Sequence, residues 1–254
     1  MAGGLVTAAA QYDGCDAAEI ARRAGVPSAV LFTRVGSTLD VAHERAAAGA
    51  PAGTLVLADE QTAGRGRQGR NWVSESGSGI WMTLVERPAD PAAVAVLSLR
   101  VGLHAAAALD AFSPGPVGLK WPNDLYAQGR KLAGILIEAR WREAALDWIA
   151  IGFGINVQAP RGIDGVAALR AGTRRMDVLE RLVPALRAAA AATGPLSADE
   201  LGAFARRDVA RGRRCREPVP GAVTGIDASG ALLVSTGRGV EAVRAGSLVL
   251  EEDA

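Results

Sequence analysis

Between residues 30 and 157 the chain offers six stretches of strand character but only two of helical spacing, and that ratio limits the fold. The strand candidates are "AVLFTRV", "GTLVLAD", "GIWMTLV", "VGLKW", "KLAGILIE" and "WIAIGFGINV". The helical stretches cover residues 38–48 and 91–112, the second carrying Val94, Leu97, Val101, Ala105, Ala108 and Phe112 at helical intervals. A strict βαβ series needs a helix between successive strands, so the pattern predicts an α+β fold, a mixed β-sheet with helices packed on one side. Residues 16–25, "DAAEIARRAG", form a further short helix stopped by Gly25 and Pro27. It opens like a helix-turn-helix, yet the following "SAVLFTRVGST" turns to strand-like residues, so a lone helix is expected. Two more helices are expected over residues 177–192 and 198–207. Beyond Asp208, short Val/Leu-rich runs broken at "DASG" and "TGRG" predict a small all-β module, dividing the chain into 1–207 and 208–254.

The formal net charge of +1 excludes nucleic-acid binding through bulk charge, which relies on a basic excess that neutralises many phosphates. Cys15 and Cys215 stand alone, without a Cys-x-x-Cys pair, so neither a disulfide framework nor a zinc site is expected and a reducing, cytoplasmic setting fits. The opening "MAGGLVTAAA" lacks a basic region and predicts no signal peptide. No apolar run is expected to reach the ~18 residues that span a bilayer, hence no membrane partner. His104 is expected as a packed or partly exposed residue of the 91–112 helix, and His43 as a solvated one. With two histidines and neither a G-x-S-x-G elbow nor an H-E-x-x-H pair, triad hydrolysis and zinc proteolysis are excluded.

Three segments carry candidate chemistry. In "GRGRQGRNW", Gly64, Gly66 and Gly69 free the backbone to fold tightly, and Arg65, Arg67 and Arg70 add planar, permanently charged donors. The loop suits an anion; a solvated charged turn is the alternative. It is not a Walker A loop, since G-x-x-x-x-G-K-[ST] is absent. In "KWPNDLYAQGRKLAGILIE", a turn at Pro122, Asn123 and Asp124 precedes a strand from Lys131. Alternation by two puts Lys131, Ala133, Ile135 and Ile137 on one face, and Leu132, Gly134, Leu136 and Glu138 on the other. Lys131 then lies either at an exposed strand end or against a negative partner. In "IAIGFGINV", Ile151, Phe153, Ile155 and Val157 share one face while Gly152, Gly154 and Asn156 share the other, a groove for a flat ligand or a site of close helix packing.

Taken in order, "EQTAGRGRQGRNW", "GLKWPNDLY", "RKLAGILIE" and "IGFGINV" resemble the biotin protein ligases, also called biotin–[acetyl-CoA-carboxylase] ligases. The tail "GAVTGIDASGALLVSTGRGVEAVRAGSLVL" is similar to that family's SH3-like C-terminal domain. The resemblance implies a catalytic domain like the class II aminoacyl-tRNA synthetases, carrying the small barrel. It implies a two-step reaction: the biotin carboxylate attacks the α-phosphate of Mg²⁺–ATP to give biotinyl-5′-AMP, and a lysine of a biotin carboxyl carrier protein then takes the biotinyl group. The acceptor would belong to acetyl-CoA carboxylase or a related carboxylase, with the enzyme a monomer or homodimer. Matched to the family's motifs, Ser37, Thr38, Gln61, Gly64, Arg65, Gly66, Arg67, Lys131 and Gly134 fall at biotin-binding positions. Arg67, Arg70, Trp72, Lys120, Asn123, Asp124, Lys131 and Asn156 fall at nucleotide positions, and Lys131, Arg67 and Asp124 at the reaction centre. Mg²⁺ would be held mainly through the ATP phosphates.

Two departures stand out. The family's Ser-Thr-Asn is Ser37-Thr38-Leu39 here, and "VAALR" replaces the Thr-Ser-Leu that often follows "GINV". Some members add an N-terminal winged helix-turn-helix and repress transcription. About thirty residues precede the first expected strand, so a ligase without operator binding, and no DNA partner, is expected. Lipoate and octanoate enzymes of the same fold are the nearest alternative, and an Arg/Gly nucleic-acid module is the alternative from another class.

Overall fold

Strand β3 (Thr54–Gln61) buries both of its faces: Leu55 and Leu57 face one core, Val56 and Ala58 the other, and none is exposed. A strand covered on both sides must lie inside a sheet with helices above and below. In the computed structural model, which describes residues 6–160 and 162–251, that sheet has eight strands. The others are β1 (Thr7–Ala8), β2 (Ser28–Val35), β4 (Gly79–Glu86), β5 (Gly118–Lys120), β6 (Asp124–Ala127), β7 (Arg130–Arg142) and β8 (Ala145–Asn156), in spatial order β1-β2-β3-β4-β8-β7-β6-β5. Strands β2 and β3 run parallel through the crossover helix α2 (Thr38–Ala47), and every other neighbouring pair is antiparallel.

The larger core joins the sheet to α1 (Ala17–Ala24), α3 (Leu97–Leu109) and α4 (Arg175–Ala191), with α5 (Ala198–Arg207) beside α3. On the opposite face, α2 packs Leu39, Val41, Ala42 and Ala46 against Phe32, Val56, Ala58, Val85 and Ala150. The expectation of helices on one side is corrected: apolar residues in both registers of the central strands demand a second cover, and α2 supplies it.

Local signals set the helix ends. Asp16 accepts from the Glu19 N–H at the start of α1, and Gly25, at φ +67°, closes it. The 91–112 segment begins as a 3₁₀ turn over Pro91–Val96 and becomes helical at Leu97. Against expectation, Pro91–Leu109 is long and apolar enough to cross a membrane by composition, with a mean hydropathy of 1.8. Because 61% of its apolar window is buried within the fold and α3 packs on α4, it is a core helix. Strand β1 joins the sheet ahead of β2, earlier than expected, because two residues carry no readable periodicity. The first five residues of the opening read for a signal peptide lie outside the described residues.

After α5, strands β9 (Arg214–Glu217), β10 (Gly221–Ile226), β11 (Leu232–Thr236), β12 (Gly239–Val243) and β13 (Val249–Leu250) form a second, antiparallel sheet in the order β12-β11-β10-β9-β13. "DASG" turns on the Asp227 carboxylate, which accepts from the backbone N–H groups of Ser229 and Ala231. This sheet docks on the first: Trp121 Nε1 donates to the Gly230 carbonyl at 3.0 Å. Gly230, at φ +81°, approaches α3 so closely that a Cβ would lie 3.0 Å from Leu99 Cδ1.

Arg100 of α3 is 1% exposed and donates to the Pro195 carbonyl at 3.0 Å and to Glu200 Oε2 at 3.2 Å, tying α3 to α5. The hydrogen bond from Arg100 holds the Glu200 carboxyl below its ordinary value of 4.5. A depressed folded pKa contributes stability above the unfolded value that is lost as pH falls through the folded one. Glu200→Gln should cost about 2 kcal/mol at neutral pH in urea unfolding. That difference should shrink as pH drops below 4.5.

Candidate active site

The α2 face of the sheet carries a cavity of about 120 Å³ where the N-terminus of α2, the ends of β3 and β8, the start of β7 and the arginine loop meet. A buried polar chain builds its inner end. Ser37 caps α2, and Thr38 turns its backbone N–H and hydroxyl onto Gln61 Oε1 at 2.9 and 3.1 Å. Since the Thr38 hydroxyl donates to Gln61, it accepts from Thr83 at 2.8 Å; Gln61 Nε2 donates in turn to Ser74 at 2.9 Å. Each polar group is thereby matched and fixed in direction, as a buried recognition surface requires. Leu39, at the family's asparagine position, packs its isobutyl group on Gly152, where a Cβ would come within 3.2 Å.

Lys131 reaches the site through a break in alternation. Leu125 pairs with Ala133 while Tyr126 pairs with Lys131, so Leu132 is an extra residue, a β-bulge. Alternation by two had placed Lys131 with Ile135 on the core face; the bulge returns it to the face of Gly134. There Nζ lies 2.8 Å from Asp124 Oδ1 and 5.3 Å from the centre of the Trp72 ring. Asp124 is placed by its neighbour: Asn123 donates from Nδ2 to the Ile135 carbonyl at 2.7 Å, and the Ile135 N–H donates back to the Asn123 carbonyl at 3.0 Å. The "VAALR" segment also borders Lys131, for the Ala167 N–H donates to the Lys131 carbonyl at 2.8 Å.

The arginine loop forms a lid over this corner. Its neck closes between Gly64 and Trp72, whose N–H donates to the Gly64 carbonyl at 2.9 Å; a Cβ on Gly64 would lie 2.4 Å from the Trp72 carbonyl oxygen. Arg67 points inward and donates to Asn123 Oδ1 at 3.3 Å. Burial, then the adjoining Arg70, pulls its pKa below the ordinary arginine value, and Asp124 opposes that. Arg65 lies at the rim, where Asp40 at 2.8 Å and Glu138 at 3.7 Å neutralise it. Of the charged groups lining the cavity, Arg67, Arg70 and Lys131 therefore face a single carboxylate, Asp124.

Trp72 settles the meaning of the glycines. A Cβ at Gly134 would lie 2.9 Å from Trp72 Cζ3, and one at Gly154 2.6 Å from its Nε1. The bare floor is the bed of the chain's own indole. Trp72 Nε1 is buried without a hydrogen-bond partner, a donor facing a site rich in cations.

Residues 31–156 match the model of the biotin/lipoate A/B protein ligase family. The biotin--[acetyl-CoA-carboxylase] ligase of Mycobacterium tuberculosis is 36% identical over 244 residues, covering 86% of this chain and 87% of that one. The chain belongs to the biotin/lipoate A/B protein ligase family. The bifunctional ligase/repressor BirA of Bacillus spizizenii is 45% identical over 133 residues, which are 48% of this chain and 38% of that protein's length. Among solved structures, the biotin protein ligase from Aquifex aeolicus in complex with biotin and ATP superposes with a TM-score of 0.69 at 26% identity, over 88% of this chain and 98% of that one.

Of the residues singled out in the sequence, Ser37, Thr38, Gln61, Arg65, Gly66, Arg67, Arg70, Trp72, Asn123, Asp124, Lys131 and Gly134 line this one cavity. Three stand apart. Gly64 forms the loop neck, and Lys120 lines an adjoining cleft with its ammonium 5.5 Å from the centre of the Tyr126 ring. Asn156 is buried and donates to the Ala167 carbonyl at 3.1 Å, bracing the segment beside Lys131 without lining the cavity. His43 is not solvated: Trp148 donates to its Nδ1 at 3.0 Å, leaving Nε2–H to donate to Glu138 at 2.8 Å. The sequence reading also missed Thr83, Ser74, Asp40 and Asn71. Thr83 alone carried a signal, as a polar residue inside the apolar run "GIWMTLV".

Gly154→Ala should displace the Trp72 indole. An overpacking cost of about 2 kcal/mol in denaturant unfolding, with an altered Trp fluorescence maximum in the native state, is the expected outcome.

Proposed function

We propose that the chain is an ATP-dependent biotin–[biotin carboxyl-carrier protein] ligase that forms biotinyl-5′-AMP and passes biotin to a carrier lysine. The observation that carries this reading is the surplus of cations, Arg67, Arg70 and Lys131 against Asp124, lining one cavity. Such a site gains most from a ligand that brings negative charge, and joining a carboxylate to a phosphate does so. The relatives whose printed names are biotin ligases support the substrate class.

The polar chain of Ser37, Thr38 and Gln61 is assigned to the biotin ring, and Leu39, Leu136 and Phe153 to its apolar contacts. Lys131 is assigned to the point where the carboxylate oxygen attacks the α-phosphorus. The carboxylate supplies the electron pair for the new P–O bond and pyrophosphate departs with the pair of the broken one. Lys131 and Arg67 offset the charge that builds on the non-bridging oxygens, each fixed donor being worth about 3 kcal/mol. Asp124 orients Lys131 before the first step and can orient the incoming lysine in the second. The neutral amine attacks the mixed anhydride, AMP leaves, and the amine proton passes to solvent or phosphate.

Orientation in one cavity supplies much of the rate, and no histidine is required. MgATP enters as a substrate. Mg²⁺ is assigned to the nucleotide phosphates, as the family resemblance implies. Both cysteines are free and buried, in keeping with a reducing, cytoplasmic setting, and residues 208–254 are assigned to a separate small domain.

Incubation with biotin, MgATP and a carrier domain should add one biotinyl increment to a lysine by mass spectrometry, with lipoate a poor competitor. Pyrophosphate release driven by lipoate or octanoate in preference to biotin would assign the chain to the other branch of the family. Lys131→Ala should fold normally and lose adenylation by roughly two to three orders of magnitude. Near-normal turnover in that variant would remove Lys131 from the reaction centre.

A further inference from the structure

The inner shoulder of the arginine loop is held by Asn123, in the turn between β5 and β6, and its first shoulder by Asp40 of α2 and Glu138 of β7. The outer shoulder is held from the other sheet. Ser247, two residues before β13, accepts from Arg70 Nη2 at 3.1 Å and donates to Gln68 Oε1 at 2.9 Å. One hydroxyl thus uses both its capacities on two loop residues. Arg70 also turns Nε back to the Arg67 carbonyl at 3.3 Å, so the contact extends to the arginine that points into the cavity.

The backbone on each side is shaped for this meeting. Gln68 takes a left-handed conformation, φ +57° and ψ +34°, unusual for a residue with a Cβ, and its side chain meets the C-terminal sheet. Opposite, Gly246 at φ +134° packs on Pro218, where a Cβ would come within 3.3 Å of Pro218 Cβ. Leu248 and Leu250 are 5% and 1% exposed, so Ser247 stands on a segment anchored in the core. Ser247 and Leu248 face Arg70, Lys120, Asp124 and Lys131 across one cleft beside the candidate active site.

We propose that Ser247 is a positioning residue through which the C-terminal sheet holds the arginine loop shut over the active site. A loop rich in glycine loses much conformational freedom when it closes. Contacts from a rigid neighbour lower that loss by restricting the open ensemble to geometries near the closed one. The hydroxyl suits the task chemically, since it donates to Gln68 Oε1, whose other contact is Arg70 Nη2 at 3.5 Å, and accepts from the Arg70 guanidinium; alanine does neither and threonine does both. The small sheet then takes part in catalysis without touching the reacting atoms. Its effect falls on retention of the intermediate more than on the chemical step.

The proposal rests on the ligase reading for its catalytic consequence, so the test has an arm that needs no ligand. Amide hydrogen exchange on the full chain should show residues 66–71 exchanging about tenfold faster in Ser247→Ala, with β9 and β13 unchanged and the unfolding midpoint retained. Ser247→Thr should restore the slower exchange, and Gly246→Ala, which shifts Ser247, should mimic its loss. With biotin and MgATP, the alanine variant should release biotinyl-AMP about tenfold faster, while the rate of pyrophosphate formation at saturating substrate stays within twofold. Unchanged loop exchange in a folded Ser247→Ala protein, or failure of threonine to restore it, overturns the proposal. If no adenylate forms in the wild type, the ligase reading fails and the exchange arm still decides the role of Ser247.

Discussion

The pairing of Lys131 with Asp124 depends on one extra residue in β7. Without the bulge at Leu132, strict alternation would send the lysine into the core beside Ala133 and Ile135, where an ammonium has no acceptor. With it, the charge emerges over Gly134 and meets a carboxylate that the Asn123–Ile135 hydrogen bonds hold in place. The loop arginine Arg67 reaches the same turn through Asn123, so one kink in one strand sets where cations from two distant segments converge. A bulge is a local fault in a ladder; here it directs a charge.

The rest of the site limits how that charge can be answered. Trp72 lies across Gly134 of β7 and Gly154 of β8, its own N–H buried without a partner. Asp40 and Glu138 take up Arg65 at the rim, so the surplus is confined to Arg67, Arg70 and Lys131. Burial and the adjoining Arg70 both disfavour the charge on Arg67. Under the proposed reading, a ligand that carries both a carboxylate and a phosphate would relieve this, its charge falling beside Arg67 and Lys131 while Ser247 holds Arg70 on the outer shoulder of the loop. In the proposed reading the substrates meet this electrostatic demand.

Much of this was legible in the sequence, because the motifs that form the site are also its local structure. The glycines at 64 and 66, the Pro122-Asn123-Asp124 turn and the glycine-pared strand from Gly152 to Asn156 each announced a backbone shape as well as a chemical role. What failed depended on tertiary placement. The phase of Lys131 was read from period two, which cannot register a bulge. Asn156 shares the site face but lies past its end, and His43 was taken as solvated because Trp148 and Glu138, which enclose it, are about a hundred residues away. The second cover of the sheet by α2 was missed since helix count alone does not say which face a helix takes. Strand β6 was missed between the Pro122-Asn123-Asp124 turn and the strand from Lys131, for it is four residues long and gains its identity from β5 and β7. The contact from Ser247 to the loop joins residues far apart in the chain and left no local mark.

The central claim is that the convergent cations are matched to the activated acid more than to either reactant. Titration calorimetry with a non-hydrolysable biotinyl-adenylate mimic, set against biotin alone, tests it most directly. The account predicts that the mimic binds the wild type at least a hundredfold more tightly than biotin, and that replacing Arg67 and Lys131 together by alanine removes most of that gain. Equal affinity for the mimic and for biotin, or a gain that survives loss of both cations, would contradict it.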